Sequence, residues 1–143
     1  MHDEGRAQRA FTTAQAAQEQ LVQKQKDYAP ALCVLGLIDA ALGDKQAALE
    51  EGRRAAALLP VSKDAINGPV VSAYFAMIAA RTGEKDLAIE QLSAVVQPVV
   101  YAPFCTHYGM LKLLPFWDPL RSDPRFEQII ASLAPKDASS PAK

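Results

Sequence analysis

Apolar positions recur every three to four residues along most of the chain, and short polar breaks separate the runs. Ala48, Leu49, Gly52, Ala55 and Ala56 fall at i, i+1, i+4, i+7 and i+8, which is one face of an α-helix. Ala88, Ile89, Leu92, Val95 and Val96 repeat that spacing, while Glu50, Glu51, Arg53 and Arg54 fall on other faces. The pattern predicts helices over 31–42, 45–59, 70–81 and 85–97. Pro60 and Pro98 follow the second and fourth of these, where proline stops further helix.

The breaks between helices repeat as well. Gly43 to Glu50 reads GDKQAALE and Gly83 to Glu90 reads GEKDLAIE, in step forty residues apart. Glycine after a helix accepts the left-handed conformation that ends it. The acid after it opens the next helix, where it can accept orphan N–H groups and face the positive dipole end. Each block is therefore a helix-turn-helix joint. Asn67-Gly68-Pro69 has the composition of a turn leading into a helix with proline at its first position.

The two ends differ from the middle. Asp3 to Lys26 has no breaker after Gly5 and predicts one long helix, with Phe11, Ala14, Gln18, Leu21 and Val22 facing the rest of the chain. Downstream, Asp118-Pro119 and Asp123-Pro124 each pair an N-cap acid with a following proline. They predict a short turn from Asp118 and a last helix over 124–133 whose inward face is Phe126, Ile129, Ile130 and Leu133. Phe116 and Trp117 precede that helix and are expected, with Phe126, to close the open end of the core. Exposed, the same pair would be an interaction hot spot. The tail 134–143 is polar and proline-bearing and is expected to be disordered.

Composition narrows the class. Half of the 143 residues are apolar but only 7% are aromatic, and alanine, the best helix former, is abundant. The net charge is −1 with scattered basic residues, so the stripe that neutralises nucleic-acid phosphates is missing. No polybasic segment suits an anionic membrane. The longest stretch without Asp, Glu, Lys or Arg, 91–111, is broken by Pro98, Pro103 and Gly109, which argues against a spanning helix. The opening residues 1–10 lack the apolar run of a signal peptide. A cytoplasmic, non-inserted chain is the expectation.

These motifs resemble the tetratricopeptide repeat, whose period is 34 residues. With Ala29 first, Leu35-Gly36 matches the family's Leu-Gly pair, Ala48 its small position and Pro60 its closing proline. Asp39 stands at the tyrosine position and Gly52 at the aromatic one, departures that imply looser packing between helices. A repeat beginning at Pro69 places Ala88 correctly, but Ala76 replaces the glycine and Val100 the proline. The resemblance implies an all-α, tetratricopeptide-like α-solenoid of antiparallel helix pairs with a C-terminal closing helix. It divides the chain into 1–28 (second helix of a preceding, truncated repeat), 29–62 (repeat), 63–68 (inserted turn), 69–102 (repeat), 103–133 (capping segment and helix) and 134–143 (tail). Gly36, Gly43, Ala48, Pro60, Gly83 and Ala88 are its structural positions. A chain that begins mid-repeat is expected to come from a longer array.

PVSKDAINGP, GEKDLAIEQL and PFWDPLRSDPRFEQIIASLAP together are similar to the C-terminal repeat regions of large bacterial signalling proteins, of the serine/threonine kinase or winged-helix type. The resemblance implies a non-catalytic scaffold arm that binds a protein or peptide. By the family register the first helix of each pair lines a concave groove, here Cys33, Val34, Leu37 and Ala41, then Ala73, Tyr74, Met77 and Arg81. Arg81 is the groove's one cation, which disfavours a clamp for a terminal carboxylate. An apolar or helical ligand fits better. Neighbouring helices of the array covering the groove, and self-association as a homo-oligomer, are the competing expectations.

Catalytic chemistry has little to stand on. Cys105 and His107 are two residues apart, with Cys33 and His2 distant. Zinc needs three or four convergent ligands, and a cysteine nucleophile needs a base in contact. A small hydrolase or metal-binding domain built on Cys105 and His107 is the outside alternative. Neither a GxxxxGK[ST] nor a GxGxxG loop is present. The sequence predicts no enzyme, no metal and no cofactor.

Overall fold

The structure, a computed structural model, describes residues 4–96 and 106–135. These residues are all-α, with no strand among them. The helices are α1 (Glu4–Lys24), α2 (Ala29–Leu42), α3 (Lys45–Leu58), α4 (Asn67–Arg81), α5 (Lys85–Val96), α6 (Tyr108–Leu113) and α7 (Pro124–Ser132), with a 3-10 helix at Pro115–Leu120 before α7.

Both glycines end their helices as expected, but only the first acid is seen to cap, the Glu84 carboxylate pairing with Lys45. Gly43 and Gly83 take φ of 89° and 83°, the left-handed region where a β-carbon is strained. Asp44 caps α3 by accepting a hydrogen bond from the Ala47 amide at 3.0 Å. The tight turns fold α2 on α3 and α4 on α5 as antiparallel hairpins. The two turns lie side by side, joined by an ion pair from Lys45 Nζ to Glu84 Oε1 at 2.5 Å.

α4 is the centre. It is buried from Gly68 nearly to its C-terminus and packs on α2, α3, α5 and the 3-10 segment. A helix that is apolar all round belongs inside the core. One cluster gathers Ala48, Leu49, Phe75, Ile78, Ala88, Leu92, Trp117 and Phe126 around it. A second joins Val22 of α1 to Leu32, Leu35, Ala55 and Val71. Close approach is set by small residues: Ala48 and Ala88 are fully buried. A β-carbon on Gly36 would lie 2.8 Å from Ile78 Cδ1 and 3.0 Å from the Ala48 carbonyl.

Several expectations need correcting. Gly52 does not loosen the packing, because the Phe75 ring fills the space beside it. α4 begins at Asn67, with Pro69 inside it, because the Asp64 carboxylate accepts from the amides of Ile66 and Asn67 at 2.9 and 2.8 Å. The turn before α7 starts at Pro115 with Pro119 inside it, so Asp118 does not cap it. Asp123 does cap α7, accepting from the Arg125 amide at 2.9 Å with Pro124 next. α6 was not foreseen. The expectations resting on His2, Pro98, Val100, Pro103, Cys105 and the tail from 136 lie outside the described residues.

Candidate partner-binding groove

The groove begins with helix periodicity on α2. Val34, Leu37 and Ala41 follow at i, i+3 and i+7 on one face of α2. Val34 is 42% exposed, and Leu37 and Ala41 are half-buried. With Ile38, Arg81 of α4, Phe11 of α1 and Phe116 of the 3-10 helix they line an open cavity of about 320 Å³. Phe11 and Phe116 are 38% and 43% exposed, so two aromatic rings flank the α2 surface.

α1 is held in place by polar contacts. Gln15 Nε2 donates to Asp39 Oδ1 at 2.7 Å and Gln18 Nε2 donates to the Ala31 carbonyl at 2.9 Å. Phe11 lies one turn before Gln15 on the same face, so these bonds also set the wall of the cavity. Asp39 is buried, and desolvation raises its carboxyl above the ordinary value, the Gln15 bond pulling it back and Asp44 and Glu19 adding to the rise. Glu51 is raised for the same first reason.

A second cavity of about 490 Å³ lies further toward the start of α2 and shares Val34 with the first. Tyr28, Pro30, Leu59, Val70 and Tyr74 are among its walls, with Asp27, Lys63 and Asn67 at its polar side. Val34 lines both, so the two cavities neighbour each other along α2. Arg81 is exposed and its guanidinium has no ion-pair or hydrogen-bond partner among the described residues.

The structure brings Val34, Leu37, Ala41, Tyr74 and Arg81 to these cavities, but not every expected groove residue. Ala73 and Met77 are 0% and 4% exposed within the α4 core, so neither offers surface to a partner. They are core residues because α4 is enclosed by helices on several sides. Cys33 is buried beside the larger cavity, and burial pushes its thiol up to about 12, leaving it neutral and unreactive. Phe116 lines the smaller cavity and stays 43% exposed, so it is not enclosed with Trp117. Trp117 and Phe126 are fully buried, with ring centroids 6.2 Å apart. Trp117 Nε1 has no hydrogen-bond partner among the described residues.

Phe11 faces α2 as the sequence predicts, but it lines the smaller cavity and stays 38% exposed, a place that the sequence reading did not assign to it. Its signal was available: it is the single large apolar side chain in the polar first half of α1. His107 is exposed and no group of three or more His, Cys, Asp or Glu converges on a metal site among the described residues. No family model, curated relative or solved structure matches the chain.

Proposed function

We propose that this chain is a tetratricopeptide-like helical repeat module that binds another polypeptide through the face of α2, and that it serves as the non-catalytic arm of a bacterial signalling protein. The pairs α2–α3 and α4–α5 are its repeats, α1 the helix of a preceding one, and α6 to α7 the closing segment. One observation carries the binding reading: Phe11, Val34 and Phe116 are each more than a third exposed around one concave apolar surface. Full burial of such a side chain is worth roughly 1.5–3 kcal/mol, and the part still exposed here contributes less than half of that for each, before association costs. With Arg81 the one cation lining the smaller cavity and Lys63 balanced by Asp27 on the larger, affinity comes mainly from apolar burial and depends weakly on salt.

The test compares capture of the cellular partner by Val34→Glu, Phe116→Ser and, as a control, Arg53→Glu on an exposed part of α3. All three positions are exposed, so the fold should survive. Capture is expected to fail for the first two and persist for the third. Loss with Arg53→Glu alone would place the interface elsewhere.

A further inference from the structure

From the two neighbouring cavities we infer that the partner segment is an amphipathic α-helix of about three turns with large apolar side chains at i and i+7 and a carboxylate one turn beyond the second. This rests on the groove reading above and adds the ligand's conformation, register and charge.

Length comes from α2 itself. The cavities follow it from Pro30 to Ala41, about 17 Å at the rise of an α-helix. The larger cavity meets α2 at Ala29, Pro30, Cys33 and Val34, and the smaller at Val34, Leu37, Ile38 and Ala41. Their centres are therefore about six residues apart along α2, or about 9 Å. Positions i and i+7 of a ligand helix are separated by about 10.5 Å and lie on one face. The side chain between them, at i+3 or i+4, rides over Val34.

The choice of helix over extended strand follows from hydrogen bonding. An extended segment must satisfy its own amides and carbonyls against the surface it lies on. Along the middle of this trough the walls are Cys33, Val34, Leu37, Ile38 and Ala41, and the backbone of α2 is occupied by its own helix. The polar side chains on the walls are Asp27, Lys63, Asn67 and Tyr74 in the larger cavity and Arg81 in the smaller, too few to pair the backbone of an extended segment. A helix brings its backbone already satisfied, so only its side chains need partners. The unpaired Arg81 at the outer end of the smaller cavity supplies the charge preference, and a carboxylate one turn past the second anchor reaches it.

The experiment uses the intact chain and fluorescein-labelled stapled peptides of about 15 residues, a length at which an unstapled helix is marginal in water. One peptide carries Leu at i and i+7 with Glu at i+11. A second moves the second Leu to i+5, off the face, and a third replaces the Glu with Lys. Each is titrated against the parent chain, Arg81→Glu and Val34→Glu by fluorescence anisotropy. The first peptide is expected to bind at least about tenfold more tightly than the second, since a displaced anchor forfeits its apolar burial. Arg81→Glu should weaken the Glu peptide and strengthen the Lys peptide by about two- to fivefold each, the scale of an exposed ion pair. Equal affinity for both spacings, indifference to the charge swap, or no binding of any peptide would overturn the inference. The groove reading fails separately: peptides that bind Val34→Glu as well as the parent are not in the trough at all.

Discussion

Gly52 of α3 and Phe75 of α4 meet where a β-carbon has no room: one built on Gly52 would lie 2.8 Å from Phe75 Cε2. The ring is 4% exposed and hemmed in by core residues, so it cannot swing away. Gly52→Ala therefore sets two effects against each other. Helix propensity favours alanine by up to about 1 kcal/mol. Overpacking costs about 1–3 kcal/mol. The clash should win, and denaturant unfolding of Gly52→Ala should show a net loss of stability. A gain would mean that the α3–α4 interface is looser than described.

Ala48 and Ala88 occupy matching places on α3 and α5, each fully buried in the same core cluster. Replacing either with Leu should overpack the interface and cost about 1–3 kcal/mol. Thermal melts of the two variants check this, and parent-like melting of both would contradict the helix register.

Trp117 is fully enclosed beside Phe126 and packs with α4. Its removal as Trp117→Ala should cost about 3–5 kcal/mol. Its emission should be blue-shifted in the folded state and move to longer wavelength on unfolding. Emission typical of water-exposed indole in the folded chain would show that the closing segment is not docked.

Asp39 links acidity to stability. Its folded carboxyl is raised above the unfolded value, first by desolvation, so the folded state holds its proton to higher pH. That contribution is full below the ordinary carboxylate value, about 3.9, and fades as pH rises through the folded value. Asp39→Asn keeps an oxygen to accept from Gln15 but carries no charge. The variant should melt higher than the parent at about pH 7, with the gap narrowing on acidification. Asp64 and Asp123 titrate oppositely: their hydrogen bonds lower both, Asp123 to about 2, and their stabilisation is lost as pH falls. They are common to both proteins and cancel in the comparison. A constant gap across this range would show that Asp39 is not the group responsible.

Much of the fold was readable because its joints are set by local chemistry. Gly43 and Gly83 end helices in the one conformation that favours glycine, and the spacing around Ala48 and Ala88 marks the faces that pack. Asp123-Pro124 starts α7 for equally local reasons. Tertiary effects were harder to read. Met77 looked like groove lining because the register counted only its place on α4, whereas α4 is wrapped on several sides. The clue lay in its sequence, which carries no charge before Arg81. Phe116 and Trp117 separate because the 3-10 helix opens at Pro115 and turns adjacent side chains to different sides, one to the groove and one to the core. Phe11 is placed by Gln15 and Asp39, a polar contact between distant segments that no hydrophobic pattern reports.

The most direct test of the central claim is site-specific photo-crosslinking in the cells that make the protein. A photoreactive phenylalanine analogue is placed at Val34 in one experiment and at Arg53 in another, and the adducts are identified by mass spectrometry. The account predicts a polypeptide adduct from position 34, mapping to an amphipathic segment of the partner, and none from position 53. An adduct from position 53 with none from position 34 would contradict it.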